Sequence, residues 1–186
     1  PTENDQVVRL KNIHLRDIDV HVATRYETFA GGLVGSGQNG IYIDNCSVTG
    51  VIDSTTTESF CRVGGLAASV LRGAVTNCWT DVDVSGVTDT NNVYAGALYG
   101  MDNRVTTVNC YTLGDVTGFS TNPSKVYLGG LAGQGGGGAF VLFYLLFQWS
   151  GALKGGAMTY YCKWVVDNTF LGSAGAWGAS QSLLTM

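Results

Sequence analysis

The sequence predicts an all-β fold, a β-solenoid built as a right-handed parallel β-helix with about 32–33 residues per coil. Three observations predict it. A Gly-Gly-Leu-type element occurs four times, with its leucines at Leu33, Leu66, Leu98 and Leu131, in steps of 33, 32 and 33 residues. A second marker keeps the same beat: Asn45-Cys46, Asn77-Cys78 and Asn109-Cys110 are each 32 residues apart, and Asn12-Ile13 stands 33 before the first. Between the markers the chain alternates in short β-branched or aromatic stretches, with no ten-residue pattern of helical period. That argues against leucine-rich, ankyrin and tetratricopeptide repeats, and a period this short ranks a four-stranded propeller blade second.

The elements follow in order. The first unit carries Asn12 without a Gly-Gly-Leu before it, so the expectation is a chain that starts partway through a repeat, with more protein ahead of Pro1. The next unit runs from Gly31-Gly32-Leu33-Val34-Gly35 through a turn at Gln38-Asn39-Gly40 and a strand at Ile41-Tyr42-Ile43 to Asn45-Cys46 and a turn at Thr49-Gly50. The unit opening on Gly64-Gly65-Leu66 holds Asn77-Cys78, a strand at Val82-Asp83-Val84 and a turn at Ser85-Gly86. The unit opening on Gly96-Ala97-Leu98 has a turn at Asp102-Asn103 and strands at Thr106-Thr107-Val108 and Val116-Thr117. These readings rest on period-2 alternation bounded by turn-forming residues.

After Gly129-Gly130-Leu131-Ala132-Gly133 the beat breaks. Val141-Leu142 stands where Asn-Cys is due, a Gly-Ala-Leu element returns early at Gly151-Ala152-Leu153, and Cys162 follows only nine residues after Leu153. Residues 1–133 are therefore read as the repeat array, with a partial first coil, and 134–186 as irregular last coils and a C-terminal cap.

Stacked coils place equivalent residues in columns. Leu33, Leu66, Leu98 and Leu131 form an internal apolar ladder; Cys46, Cys78 and Cys110 form a second, extended by Ile13; Asn45, Asn77 and Asn109, with Asn12, stack their amides along a turn. The glycines beside each leucine allow tight bends and close approach of neighbouring coils. This explains much of a content of 27 glycines in 186 residues. Disorder is unlike a chain that is 45% hydrophobic with a net charge of -4, and 2 prolines exclude collagen.

The markers Gly31-Gly32-Leu33-Val34-Gly35, Asn45-Cys46 and Asn109-Cys110-Tyr111-Thr112 resemble the GLUG repeat family, which pairs a Gly-Gly-Leu-Val-Gly element with an Asn-Cys-Tyr-x-Thr-Gly element. The resemblance covers about residues 12 to 133. Cys162-Lys163-Trp164, Asp167 and Ser173-Ala174-Gly175 look like a variant of the element that often follows the last repeat. Ala68 stands where the family closes on glycine, and Ala97 replaces another glycine. The resemblance implies a bacterial surface or secreted protein with a structural or adhesive role. It identifies no ligand.

The candidate chemistry is sparse. His14, Asp17, Asp19 and His21 do not share one alternating parity, so one strand face does not present all four, and solvated strand residues are preferred to a metal site. Asp81 and Asp83 share a face and suit Ca²⁺ or lyase chemistry, but Asp83 recurs as Asp115 before a Val-x-Gly segment, which favours turn hydrogen bonding. The ladder cysteines are read as buried reduced thiols, although column neighbours lie within disulfide reach. Cys61 and Cys162 have no repeat partners and are the candidates for external pairing. Gly135 to Gly138 has no Lys-Ser or Lys-Thr after it and is not a phosphate loop, and no Gly-x-Ser-x-Gly elbow occurs.

The expectation is accordingly no catalytic residue, no metal and no cofactor. No run of Lys or Arg points to nucleic acid, and the nine-residue apolar run Ala139 to Phe147 is too short for a membrane helix. Few charges and many Thr, Ser, Asn and Gly suggest an extracellular or cell-surface location. The function expected is a structural and adhesive module that binds glycan or a host or neighbouring surface protein along one face. Trp79 and Tyr111, each one residue after a ladder cysteine, are the candidate ligand-binding pair. A filament subunit that self-associates through Phe140 to Trp149 or its coil ends is the alternative, and a β-helical polysaccharide lyase or hydrolase stands third.

Overall fold

The computed structural model describes residues 7–38, 40–121, 126–136, 139–141, 143–144, 165–166 and 170–171. The fold is a parallel β-solenoid of several coils, one sequence repeat to a coil. Each coil contributes to three sheets. Its strands are β1 (Val8–Lys11), β2 (His14–Thr24) and β3 (Thr28–Gly31), then β4 (Val34–Gly37), β5 (Ile41–Asp44), β6 (Ser47–Thr56) and β7 (Cys61–Gly64). The next coils supply β8 (Ala67–Thr76), β9 (Trp79–Thr88), β10 (Val93–Gly96), β11 (Tyr99–Val108), β12 (Tyr111–Leu113), β13 (Val116–Ser120) and β14 (Val126–Gly129). β15 (Ala132–Gly136), β16 (Ala139–Val141), β17 (Phe143–Tyr144), β18 (Val165–Val166) and β19 (Phe170–Leu171) follow.

Sheet A stacks β1, β5, β8, β11 and β16, with β4 also on β8 and β15 on β11; sheet B stacks β2, β6, β9, then β12 and β13; sheet C stacks β3, β7, β10 and β14. Every one of these pairings is parallel, and the register steps by 32 or 33 residues, as in Ser47 opposite Trp79 and Thr28 opposite Cys61. The last pairings reverse: β16 meets β19 and β17 meets β18 antiparallel. The apolar run from Ala139 thus begins as a strand on β11, with Phe140 opposite Thr107. Leu142 and residues 145–149 of that run lie outside the described residues, as do Gly151-Ala152-Leu153, Cys162 and the Ser173-Ala174-Gly175 element.

Sheet B turns away from sheet A at the Asn-Cys corner. Asn12, Asn45, Asn77 and Asn109 have φ of 57°, 51°, 54° and 52°. A left-handed residue makes the bend, and asparagine tolerates it best among residues with a side chain. Sheet A follows sheet C at the leucine corner. There the carbonyls of Leu66, Leu98 and Leu131 each accept two N–H groups from the coil before, as when Leu98 O takes Leu66 N and Ala67 N, both at 3.0 Å.

Three expected turns are instead interior to long strands. Gly50, at φ 132°, sits inside β6, where a bulge shifts the register between Leu15 and Ile18 on β2. Gly86 lies inside β9 facing the core, where a Cβ would come 2.8 Å from Val93 and 3.0 Å from Val63. Asp102-Asn103 continues β11. Sheet A does bend near there, at a column of left-handed residues, Gly40, Arg72 and Arg104.

The core runs down the axis between the sheets. Leu66 and Leu98 are fully buried, Leu131 is buried, and Leu33, at the end of the ladder, is partly buried against the same cluster. Val48, Ile52, Val63, Val75, Val82 and Val93 fill the inward positions between them. Burial of such a continuous apolar column is the main stabilising term of a solenoid, because each coil covers the faces of its neighbours.

Candidate functional site

The ladder residues are placed by the corners. Cys46, Cys78 and Cys110 are buried and unpaired as disulfides. Each thiol donates to the carbonyl two residues earlier, Cys78 Sγ to Thr76 O at 3.1 Å and Cys110 Sγ to Val108 O at 3.3 Å. The same sulfur accepts the amide of the preceding coil's cysteine: Cys46 N donates to Cys78 Sγ, and Cys78 N to Cys110 Sγ, both at 3.4 Å. A thiol is small, buries cheaply and serves both roles at once. Burial pushes the Cys46 thiol above its ordinary value, and the adjoining Cys110 thiol together with burial does the same to Cys78.

The asparagine column is interrupted. Asn45 donates to Asn12 Oδ1 at 2.8 Å and Asn109 to Asn77 Oδ1 at 2.7 Å, but Asn77 turns to Asp44 Oδ1 at 2.9 Å instead of Asn45. A carboxylate is the stronger acceptor, and Asp44 sits one residue before that corner. Hydrogen bonds from Thr76 and Asn77, with Lys11 at 3.1 Å, hold Asp44 down to about 2.

Cys61 corrects its expected role. It is fully buried on β7, opposite Thr28 and Val93, and its thiol reaches Ser54 O at 3.3 Å. No outside thiol can reach it. Cys61 occupies a core position of sheet C, which its neighbours fill with threonine and valine, so its isolation in the sequence reflected a variable core position.

Trp79 and Tyr111 are brought together. They stand opposite each other on β9 and β12, with ring centroids 5.9 Å apart and planes 4° from parallel. The next residue on each strand, Thr80 and Thr112, is buried and bonds a corner carbonyl, Ala97 O and Gly130 O, at 2.7 Å in both cases. Alternation therefore turns Trp79 and Tyr111 to the outside, half-buried, in a column with His14 and Ser47 below. His14 Nδ1 and Ser47 Oγ share a hydrogen bond of 2.8 Å.

The carboxylates lie on this same outer face. Asp81 and Asp83 are exposed, two and four residues along β9 from Trp79. Asp83 accepts the Asp115 amide of the next coil at 2.9 Å, a coil-to-coil bond across the break between β12 and β13. The Val84-Ser85-Gly86 and Val116-Thr117-Gly118 segments after them are strand in β9 and β13, not turn. His21 lies between Asp19 at 2.7 Å and Asp53 at 3.1 Å, all well exposed. Among the described residues no group of three or more His, Cys, Asp and Glu side chains is arranged to hold a metal ion. No helix among them is long and apolar enough to cross a membrane.

Two columns escaped the sequence reading. Thr56, Thr88 and Ser120 recur at steps of 32 and point their hydroxyls at corner carbonyls, Tyr26 O at 2.6 Å, Ser59 O at 2.9 Å and Asn91 O at 3.0 Å. Their spacing was a legible signal. On the outside of sheet C, Phe29, Arg62, Tyr94 and Tyr127 stack coil over coil; Arg62 lies over the Phe29 ring at 5.0 Å and Tyr94 over Tyr127 at 5.0 Å. Arg62 also pairs with Glu27. This column mixes residue types, so no recurring letter marks it; its cation–π and ring contacts tie four coils together.

Comparison of the chain with family models, curated proteins and solved structures finds no match.

Proposed function

We propose that this chain is a non-catalytic adhesive module of a bacterial cell-surface or secreted protein, of the GLUG-like kind that its markers resemble, and that it binds a glycan along the outer face of sheet B. The single observation that carries the reading is the outward Trp79–Tyr111 stack on sheet B. The recurring Leu, Cys, Asn and Thr residues are engaged in core packing or coil-to-coil bonds, which is what a scaffold requires. The residues left to meet a partner are the outward ones. A sheet built in steps of about 4.8 Å offers an extended track in place of a deep pocket, and aromatic side chains on it supply apolar contact for sugar rings.

The test is binding to immobilised polysaccharides and to an oligosaccharide array. The wild-type chain is expected to bind at least one glycan, and Trp79→Ala or Tyr111→Ala to weaken that binding at least tenfold with the circular dichroism spectrum unchanged. A glycan bound equally well by both variants would remove the stack from the site. Cleavage of a bound polysaccharide would replace the adhesive reading with an enzymatic one.

A further inference from the structure

The aromatic stack sits beside an acidic surface. At outward positions of sheet B stand Asp81 and Asp83 on β9 and Asp115 beside β13, with Asp19 on β2 and Asp53 on β6 further off, sharing His21 between them. Arg16 is the only Lys or Arg in β2, β6, β9, β12 or β13. Apolar groups are interleaved with the carboxylates: besides Trp79 and Tyr111, Val51 is 37% exposed and Phe119 42%. A face of this kind repels polyanions and attracts cations whose remaining surface is apolar.

Resting on the glycan-binding reading above, we propose that the ligand of sheet B is a cationic polysaccharide, one whose pyranose rings carry free amino groups. The rings lie against Trp79 and Tyr111, and the ammonium groups meet Asp81 and Asp83. Asp81 is about 7 Å along the strand from Trp79, the length of two residues in a strand, which is the scale of a single sugar unit and its substituents. A basic peptide carries the same charge but fits less well. Strands β6 and β9 have both edges paired within the solenoid, so a peptide laid across them finds no backbone partners for its own N–H and C=O groups. A saccharide has hydroxyl groups in place of a regular row of backbone amides, so it does not depend on a free strand edge.

The experiment compares three hexasaccharides of equal length at mildly acidic pH: β-1,4-linked glucosamine, its fully N-acetylated counterpart, and galacturonate. Affinities are measured by calorimetry on the full chain. The glucosamine hexamer is expected to bind at least tenfold more tightly than the acetylated one and to weaken as salt is raised, with galacturonate not bound. Asp81→Asn/Asp83→Asn, which keeps the acceptor for the Asp115 amide, is expected to remove most of that preference, about tenfold, while leaving the acetylated hexamer unaffected. Trp79→Ala is expected to weaken both. Equal binding of the glucosamine and acetylated hexamers, or preference for galacturonate, would overturn this inference and leave glycan binding standing. A lysine-rich hexapeptide bound more tightly than the glucosamine hexamer would overturn it in favour of a peptide ligand. Binding of no glycan in the set or on the array would overturn both readings together.

Discussion

Gly64→Val is expected to prevent stable folding. Gly64 ends β7 and opens the leucine corner into β8, and a Cβ there would stand 2.0 Å from Ala67 O and 2.6 Å from Gly100 N. Both are backbone atoms, one in the same coil and one in the next, so neither can rotate aside. The equivalent glycines Gly31, Gly96 and Gly129 meet the same obstacle, with a carbonyl oxygen 2.0 to 2.2 Å from the Cβ position. The first glycine of the element is therefore fixed by space, and none of the four has a positive φ. Relieving the clash would open the corner and separate two coils. The cost expected is about 4 kcal/mol or more, comparable with the whole stability of many domains. Gly136→Ala is the matched control. Its nearest neighbours would be Asn103 side-chain atoms at 3.6 Å, an ordinary contact, and the change expected is within about 0.5 kcal/mol. Urea unfolding of the two variants checks both values; a folded Gly64→Val protein of near wild-type midpoint would show that the corner is built differently.

Asp102→Asn is expected to stabilise the chain at neutral pH and to do little in acid. Asp102 lies inside β11 with 1% of its surface exposed, facing Val70 in one neighbouring coil and Gly135 in the other. Among the described residues no other residue gives either carboxylate oxygen a hydrogen bond. Burial raises its pKa to about 7. The folded state therefore holds a proton that the unfolded chain releases near pH 4. The contribution of Asp102 to stability is greatest below about pH 4, falls as pH rises to about 7, and is level above that. At full ionisation the penalty is about 4 kcal/mol, and the amide avoids most of it. Asp44 acts with the opposite sign: held down to about 2, it adds stability above about pH 4 that is lost as pH falls toward 2. Melting temperatures followed from pH 4 to pH 8 check the claim. A wild-type chain that gains stability over that range, or an Asn variant that tracks it in parallel, would contradict it.

Asp102 also accounts for one of the glycines that the sequence left unexplained. A Cβ on Gly135 would come 2.7 Å from Asp102 Oδ1. The sequence could not reveal this, because Asp102-Asn103 has the composition of a turn and its burial depends on the coil above. The period, the leucine and cysteine ladders and the Asn-Cys corner were legible because one physical demand recurs in every coil and selects one residue type each time. Asn77 departs from its column because a neighbouring aspartate, absent from the repeat pattern, offers a better acceptor. The sheet C column stayed hidden for the converse reason. Its outer positions demand only a flat or long side chain, and phenylalanine, arginine and tyrosine meet that demand equally. The sheet B face was half legible: Trp79 and Tyr111 shared a position after the cysteine, but whether that position pointed outward depended on the buried threonines beside it.

One repeat makes one coil, stacked on the next in parallel and in register. Paired cysteines test it most directly. Thr55 and Val87 stand opposite each other at outer positions of β6 and β9, and Phe119 stands opposite Val87 one coil further on. Adjacent coils lie about 4.8 Å apart, within the Cα range of a disulfide, and alternate coils at about twice that lie beyond it. Mild oxidation of Thr55→Cys/Val87→Cys is expected to give an intramolecular disulfide, read by mass after digestion, and Thr55→Cys/Phe119→Cys is expected to give none. A 55–119 bond, or no bond in the adjacent pair, would contradict the account.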